Sequence, residues 1–127
     1  MAEMQKFGLE FFDDIHKNTF WQSSGFADLI TTCYAGRNRK CAQEFAKTGK
    51  SWDQIEKEML GGQKLQGPST CQEVYSFLEN KKKLSEFPLF VQIYKISFGV
   101  EGERADPASV VTCFQENGME DIVMNWK

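Results

Sequence analysis

The sequence has little of what a metal site or a nucleic-acid surface needs. It contains one histidine, and its four cysteines, Cys33, Cys41, Cys71 and Cys113, include no C-x-x-C pair. This spacing argues against zinc, because protein zinc sites draw on clustered cysteines and histidines. The formal net charge of −3 likewise gives no general basic surface for nucleic acid. Any basic site must therefore be local.

Long apolar runs are missing as well. No segment approaches the roughly 18 apolar residues that a membrane-spanning helix needs, and no basic-then-apolar leader opens the chain. We therefore expect neither secretion nor a membrane span. Buried, reduced thiols are then the simplest state for the cysteines, which favours the cytoplasm.

The residues that are present are typical of one globular domain. The chain has 127 residues, of which 41% are hydrophobic and 13% aromatic, so it can bury a single core. Apolar residues recur at helical spacing, and no stretch alternates as a half-buried strand does. We predict an all-α fold of six or seven helices without a domain boundary.

Helix-end signals place these elements. Helices are predicted over 2–15, after Gly25, and from the "GRNRK" turn to a C-cap at Gly49. Two further helices are predicted to begin at the capping boxes Ser51 with Gln54 and Thr70 with Glu73. The last two are predicted to open at Pro88 and at Asp106 with Pro107.

The start of the third predicted helix, in "TTCYAGRNRKCAQEF" (residues 31–45), is unusually basic. Arg37, Arg39 and Lys40 crowd its first turn, where the helix dipole disfavours cations by roughly a few tenths of a kcal/mol each. A bound anion would offset this cost, because free N–H groups and a guanidinium fork match phosphate or carboxylate oxygens. The residues leave two interpretations open: an anion site at Arg37 and Asn38, or a solvated basic cluster.

Two other features are open to similar alternatives. The glycine-rich segment "LGGQKLQGP" carries Lys64 and Gln66, and it is either a loop that closes over a ligand or a plain connection between helices. Asp28 lies four residues before Thr32, which puts both polar groups on one helix face. A carboxylate at Asp28 is either an ordinary surface residue or an acid oriented toward a site.

Three segments, taken in order, resemble the C-terminal, substrate-binding domain of eukaryotic NAD-dependent glycerol-3-phosphate dehydrogenase. They are "SSGFADLITTCYAGRNRKCAQEFAKTGKS", "EKEMLGGQKLQGPSTCQEVY" and "FPLF". The resemblance is strongest from about Thr19 to Phe90 and weaker to about Gly118. It implies an all-α domain over 1–127 like the C-terminal domain of 6-phosphogluconate-dehydrogenase-like enzymes.

The resemblance also implies an activity. Members of this family transfer a hydride reversibly between NADH and dihydroxyacetone phosphate, giving sn-glycerol 3-phosphate, on a dimeric cytoplasmic enzyme. The resemblance implies that Arg37 and Asn38 hold the substrate phosphate. It further implies that Asp28 and Thr32 belong to the catalytic cluster around the reacting carbonyl.

For the cofactor, the resemblance implies that Lys64 and Gln66 lie in a loop that closes toward the dinucleotide, with Arg37 nearby. The sequence departs from the family here, since it contains no G-x-G-x-x-G motif and no βαβ pattern. No lysine lies in a context that matches the family's catalytic lysine. We therefore expect NAD to bind the full-length enzyme rather than this chain alone, which should be inactive.

Two interpretations of the whole chain follow. It is the C-terminal domain of such a dehydrogenase, without its dinucleotide-binding domain, or it is a non-catalytic helical module for anion binding or dimerisation that derives from that domain. The apolar tail with Trp126 is expected to be a packed terminus or a contact to another chain.

Overall fold

The computed structural model describes residues 1–116, and seven α-helices form within them. The all-α prediction is therefore confirmed, and the isolated bridge between Val100 and Glu103 is the one strand-like pairing in this part of the chain. No helix of the described part is long and apolar enough to cross a membrane. The expectation about Trp126 lies outside the described residues. The helices are α1 (Ala2–Phe11), α2 (Asp28–Ala35), α3 (Arg37–Thr48), α4 (Trp52–Leu60), α5 (Gln66–Asn80), α6 (Pro88–Ser97) and α7 (Ser109–Glu116).

Residues 3–68 form the first of two compact units. Helix α3 packs against α4, and the buried side chains of this unit include Cys41, Phe45, Ile55 and Leu65. Phe45 also stacks on Trp52, with ring centroids 4.3 Å apart. A small apolar core therefore holds α3, and with it the basic turn, in a defined position.

The end of α3 and the start of α4 lie where the sequence predicts them. Gly49 takes a φ of 67°, the left-handed conformation that suits glycine after a helix. The Ser51 hydroxyl accepts a hydrogen bond from the Gln54 N–H, and the Gln54 side chain accepts one from the Ser51 N–H, at 3.3 and 3.1 Å. Both predicted boundaries are confirmed.

The predicted capping box at Thr70 and Glu73 is wrong. Helix α5 already begins at Gln66, so Thr70 lies inside it. The physical reason is Pro68, whose fixed φ and missing N–H are tolerated in the first turn of a helix, so the chain becomes helical sooner than its glycines suggest. The glycine-rich connection is accordingly short, and we call residues 61–65 the α4–α5 loop.

Two other predicted boundaries are displaced. Helix α1 ends at Phe11 rather than at residue 15. Helix α7 begins at Ser109 rather than at Asp106, since Asp106 Oδ1 accepts a hydrogen bond from the Ala108 N–H at 2.8 Å and holds a turn before the helix. Pro88 does open α6, as predicted.

The second unit comprises Ala2 and the described residues from 69 to 116. Helix α6 packs against α7, and Tyr94 of α6 stacks on Tyr75 of α5 with ring centroids 3.7 Å apart. Leu78 and Phe87 are fully buried. The prediction that the chain is a single substrate-binding domain stays a prediction.

The four cysteines are free thiols, as expected, but they are not all buried. Cys41 and Cys113 are buried, Cys71 is half-buried and Cys33 is exposed. Burial raises the pKa of the Cys71 thiol to about 11. Cys33 is exposed because it lies on α2, a helix none of whose own residues is buried.

Candidate phosphate site at the start of helix α3

The basic turn begins at a sharp break between α2 and α3. Gly36 forms the N-cap of α3 with an extended backbone (φ −66°, ψ 150°), and its N–H donates to the Thr32 carbonyl at 2.9 Å. A Cβ at Gly36 would lie 2.6 Å from that carbonyl oxygen, so only glycine fits. The break allows α3 to start with Arg37 directly after α2.

The first turn of α3 offers hydrogen-bond donors. Glycine has no side chain to cap the turn, and no side-chain cap is present at Gly36. The first N–H groups of a helix have no partner within it, so those of Arg37, Asn38 and Arg39 are oriented outward with the positive end of the helix dipole. Such a turn can bind an anion.

Arg37 makes a contact with the α4–α5 loop. Its Nη1 atom donates to Oε1 of Gln63 at 3.3 Å, and both side chains are exposed. Arg39 is turned instead toward α2, where its Nη1 atom donates to the Tyr34 carbonyl at 3.3 Å. Of the two arginines, Arg37 is therefore the one that faces the loop, and its other guanidinium donors have no hydrogen-bond partner among residues 1–116.

Asn38 lies against Gly67, the second residue of α5. A Cβ at Gly67 would lie 3.0 to 3.3 Å from the three polar-end atoms of the Asn38 side chain. Glycine at this position therefore permits the approach. The structure thus brings this segment and the start of α3 together, as a closing loop requires. The contacts come from Gln63 and Gly67 rather than from Lys64 and Gln66.

Lys64, which the resemblance places near the cofactor, is engaged elsewhere. Its Nζ atom lies 2.6 Å from Asp53 Oδ1 and 2.8 Å from Glu56 Oε2, both on α4. Hydrogen bonds to these carboxylates raise the pKa of Lys64. The nearly buried Glu56 also accepts the Leu65 N–H at 2.9 Å. Lys64 therefore fastens the loop to α4 in this state, and its contact with a cofactor stays a prediction.

Asp28 and Thr32 lie one turn apart on α2, as their spacing predicts. The Thr32 hydroxyl donates to the backbone carbonyls of Asp28 and Leu29, at 2.8 and 3.0 Å, rather than to the Asp28 carboxylate. Both side chains are exposed. Their catalytic role stays a prediction, as does cofactor binding by Gln66, the exposed first residue of α5.

Exposed apolar side chains lie on the other face of α2 from Asp28 and Thr32, because residues two positions apart are turned about 200° from each other around a helix. Phe26, Ile30 and Tyr34 are spaced four residues apart and are 41%, 43% and 79% exposed. The Trp21 ring lies 5.4 Å from the Phe26 ring and extends this surface. We call these four residues the apolar stripe. An exposed apolar surface of this kind is typical of a protein interface.

Sequence reasoning missed two residues of this region, Gln63 and Glu56. Gln63 has no periodicity and no motif of its own, although it adjoins Lys64 in the glycine-rich segment. Glu56 resembles any charged residue on an amphipathic helix. Only the path of the loop makes one a partner of Arg37 and the other an acceptor for Leu65.

Comparisons with known proteins point to one enzyme family. A family model described as the C-terminus of NAD-dependent glycerol-3-phosphate dehydrogenase matches residues 1–108. The NAD(+) glycerol-3-phosphate dehydrogenase 2 of Schizosaccharomyces pombe is 55% identical over 98 residues, 77% of this chain and 26% of that protein. The cytoplasmic human enzyme is 60% identical over 99 residues, 78% of this chain and 27% of that protein.

Solved structures show the same similarity. The Plasmodium falciparum glycerol-3-phosphate dehydrogenase superposes with a TM-score of 0.78 at 45% identity, over 88% of this chain and 31% of that one. The Saccharomyces cerevisiae enzyme gives 0.82 at 38% identity, over 90% of this chain and 31% of that one. The chain thus spans about a quarter to a third of the length of these relatives. From the family model and these relatives together, the chain belongs to the family of NAD-dependent glycerol-3-phosphate dehydrogenases and corresponds to their C-terminal domain.

Proposed function

We propose that this chain is the substrate-binding part of an NAD-dependent glycerol-3-phosphate dehydrogenase. Its task is to hold the phosphate of dihydroxyacetone phosphate or glycerol 3-phosphate through Arg37 and Asn38. The observation that carries the proposal is the uncapped, glycine-started first turn of α3, where Arg37 and Asn38 lie against residues 63–67. A planar guanidinium and outward N–H groups are complementary to a phosphate dianion.

The proposed chemistry gives each predicted residue a role. NADH supplies the hydride when the enzyme is complete. Reduction builds negative charge on the carbonyl oxygen, which a hydrogen-bond donor such as the Thr32 hydroxyl would stabilise, whereas the Asp28 carboxylate would serve by orienting a donor. The Thr32 hydroxyl can donate to the substrate oxygen only when it leaves the Asp28 and Leu29 carbonyls that now accept its proton. Binding of the substrate phosphate, which is distant from the reacting carbon, holds the carbonyl in position for hydride transfer.

The remaining parts of the site come from elsewhere in the proposed enzyme. The sequence of this chain contains no dinucleotide-binding motif, so a nucleotide-binding part must meet the substrate part. We propose that this part covers the apolar stripe, because Ile30 and Tyr34 on α2 and Trp21 and Phe26 before it are large apolar side chains that this chain leaves exposed. Rearrangement of Lys64 and Gln66 toward the cofactor, a homodimer and a cytoplasmic location belong to the same proposal.

A ligand titration tests the phosphate grip. We expect glycerol 3-phosphate to shift the backbone amide NMR signals of Gly36, Arg37 and Asn38 in the wild-type chain. Arg37→Ala should weaken this binding about 10- to 100-fold, since a charge-assisted hydrogen bond contributes roughly 1.5–3 kcal/mol. Lys40→Ala is the matched control, because it removes an exposed cation from the same turn. Equal affinity of the Arg37→Ala and Lys40→Ala proteins would refute the assignment to Arg37.

A further inference from the structure

The second unit contains a cavity that the phosphate site does not use. Its volume is about 590 Å³, and it lies between α6, α7 and the turn that precedes α6. Ser85 and Pro88 line it on the side of the turn, and Gln92, Lys95 and Thr112 line it from the two helices. Gln92 Nε2 donates to a serine hydroxyl of α7 at 2.6 Å. Lys95 of α6 and Ser85 of the turn therefore line the same cavity.

The turn before α6 is basic on one side of Ser85. Lys81, Lys82 and Lys83 precede Ser85 by four, three and two residues. The Lys83 Nζ atom is 2.6 Å from Glu86 Oε1, and Lys82 is exposed with a φ of 58°. Neither the proposed phosphate site nor the α4–α5 loop explains these lysines, because both lie in the first unit.

Ser85 is accessible to an enzyme. It is exposed, lies in the single helical turn Leu84–Glu86, and its hydroxyl makes no hydrogen bond to any residue that the structure describes. A one-turn helix between two longer ones is opened locally at small cost, and kinases bind their substrate segments in an opened form. The hydroxyl is thus both reachable and unoccupied by other contacts in the described part of the chain.

We propose that Ser85 is a phosphorylation site for a serine kinase that selects basic residues two to four positions before its acceptor, and that Lys95 receives the phosphate in the cavity. The modification adds a charge of about −1.5 to −2 and three acceptor oxygens. Lys95 and Lys83 favour this charge, whereas Glu86 opposes it. Because Lys83 already pairs with Glu86, Lys95 supplies the net attraction, and we expect the modified turn to be held more firmly against α6.

The reaction is an ordinary phosphoryl transfer from a nucleoside triphosphate. The Ser85 Oγ atom forms a bond to the γ-phosphorus while the bond from that phosphorus to the bridging oxygen breaks, and the nucleoside diphosphate leaves. The hydroxyl proton passes to the catalytic carboxylate of the kinase. No oxidant or metal centre of this chain takes part.

Incubation with Mg-ATP and the catalytic subunit of cyclic-AMP-dependent protein kinase tests the first half of the proposal. Mass spectrometry should find one phosphate, at Ser85, and none on Ser85→Ala. Ser76→Ala should behave as wild type, because Ser76 is an exposed serine without a lysine or arginine in the four preceding positions. The double change Lys82→Ala and Lys83→Ala should slow modification about tenfold or more. Absence of phosphate on the wild-type chain, or a phosphate that Ser85→Ala retains, would overturn the proposal.

Thermal unfolding tests the second half. The modified wild-type protein should melt about 3 °C higher than the unmodified one. Lys95→Ala should accept the phosphate equally well but show no such rise. If the modified Lys95→Ala protein gains as much stability as modified wild type, the phosphate is not received by Lys95, and that assignment is overturned.

Discussion

Glu56 shows how one residue controls the position of the α4–α5 loop. Its carboxylate is nearly buried, yet it accepts the Lys64 ammonium at 2.8 Å and the Leu65 N–H at 2.9 Å. The hydrogen bond from Lys64, followed by that from Leu65, lowers the pKa of Glu56 below its ordinary value. Because the loop also carries Gln63, this carboxylate indirectly places the partner of Arg37.

The lowered pKa of Glu56 predicts a pH effect of definite sign. A carboxyl whose folded pKa is depressed contributes stability above its unfolded pKa, about 4.3, and loses this contribution as the pH falls through the folded value. We expect the free energy of unfolding of wild type to fall more steeply than that of Glu56→Gln as the pH decreases from about 6 to 3. Urea unfolding at a series of pH values measures this.

The controls separate the buried Glu56 carboxylate from the exposed Asp53 carboxylate, both of which bind Lys64. Asp53 binds the same ammonium but is 84% exposed, so Asp53→Asn should change the stability and its pH dependence much less. Glu56→Ala should destabilise by about 1–3 kcal/mol, since the buried Leu65 N–H loses its acceptor. Identical pH profiles for wild type and Glu56→Gln would contradict the account.

Among the helices, two capping-box sequences occur, and only one of them caps a helix. Ser51 with Gln54 opens α4 with both reciprocal hydrogen bonds, whereas Thr70 with Glu73 falls inside α5. The two sequences have the same spacing. What differs is the preceding segment, where Pro68 lies in the first turn of α5 and the helix begins at Gln66.

This difference predicts opposite results for two equivalent substitutions. Ser51→Ala should lower the free energy of unfolding by about 0.5–2 kcal/mol, the usual cost of losing an N-cap. Thr70→Ala should leave it unchanged or raise it slightly, because alanine is the better residue within a helix. Chemical denaturation of both variants beside wild type is the measurement. A loss for Thr70→Ala as large as that for Ser51→Ala would mean that α5 begins at Thr70 after all.

For the molecule as a whole, the proposed site would be only one part of a catalyst. The chain spans about a quarter to a third of its relatives, and it carries the apolar stripe on the surface of the first unit. Hydride transfer requires the nicotinamide and the carbonyl to meet within a few ångströms, and this chain has no glycine-rich phosphate loop to hold a dinucleotide.

We therefore predict that the 127-residue chain alone does not oxidise NADH in the presence of dihydroxyacetone phosphate. The measurement is the loss of NADH absorbance, with a full-length relative such as the human cytoplasmic enzyme as the positive control. The amide titration with glycerol 3-phosphate on the same sample shows that the protein is folded, so that inactivity caused by misfolding is not counted as support. Turnover above a mock preparation would overturn the prediction.

Sequence alone determined the helical class, the end of α3, the start of α4, the family, and the location of the basic turn at Arg37 and Asn38. These features depend on periodicity, capping chemistry and short motifs, which are local properties of the chain. The tertiary structure decided that Gln63 contacts Arg37, that Lys64 and Glu56 fasten the loop to α4, and that the Thr32 hydroxyl is bonded to its own helix. Such pairings depend on how the chain returns on itself, because residues far apart in sequence become partners only after the helices have packed.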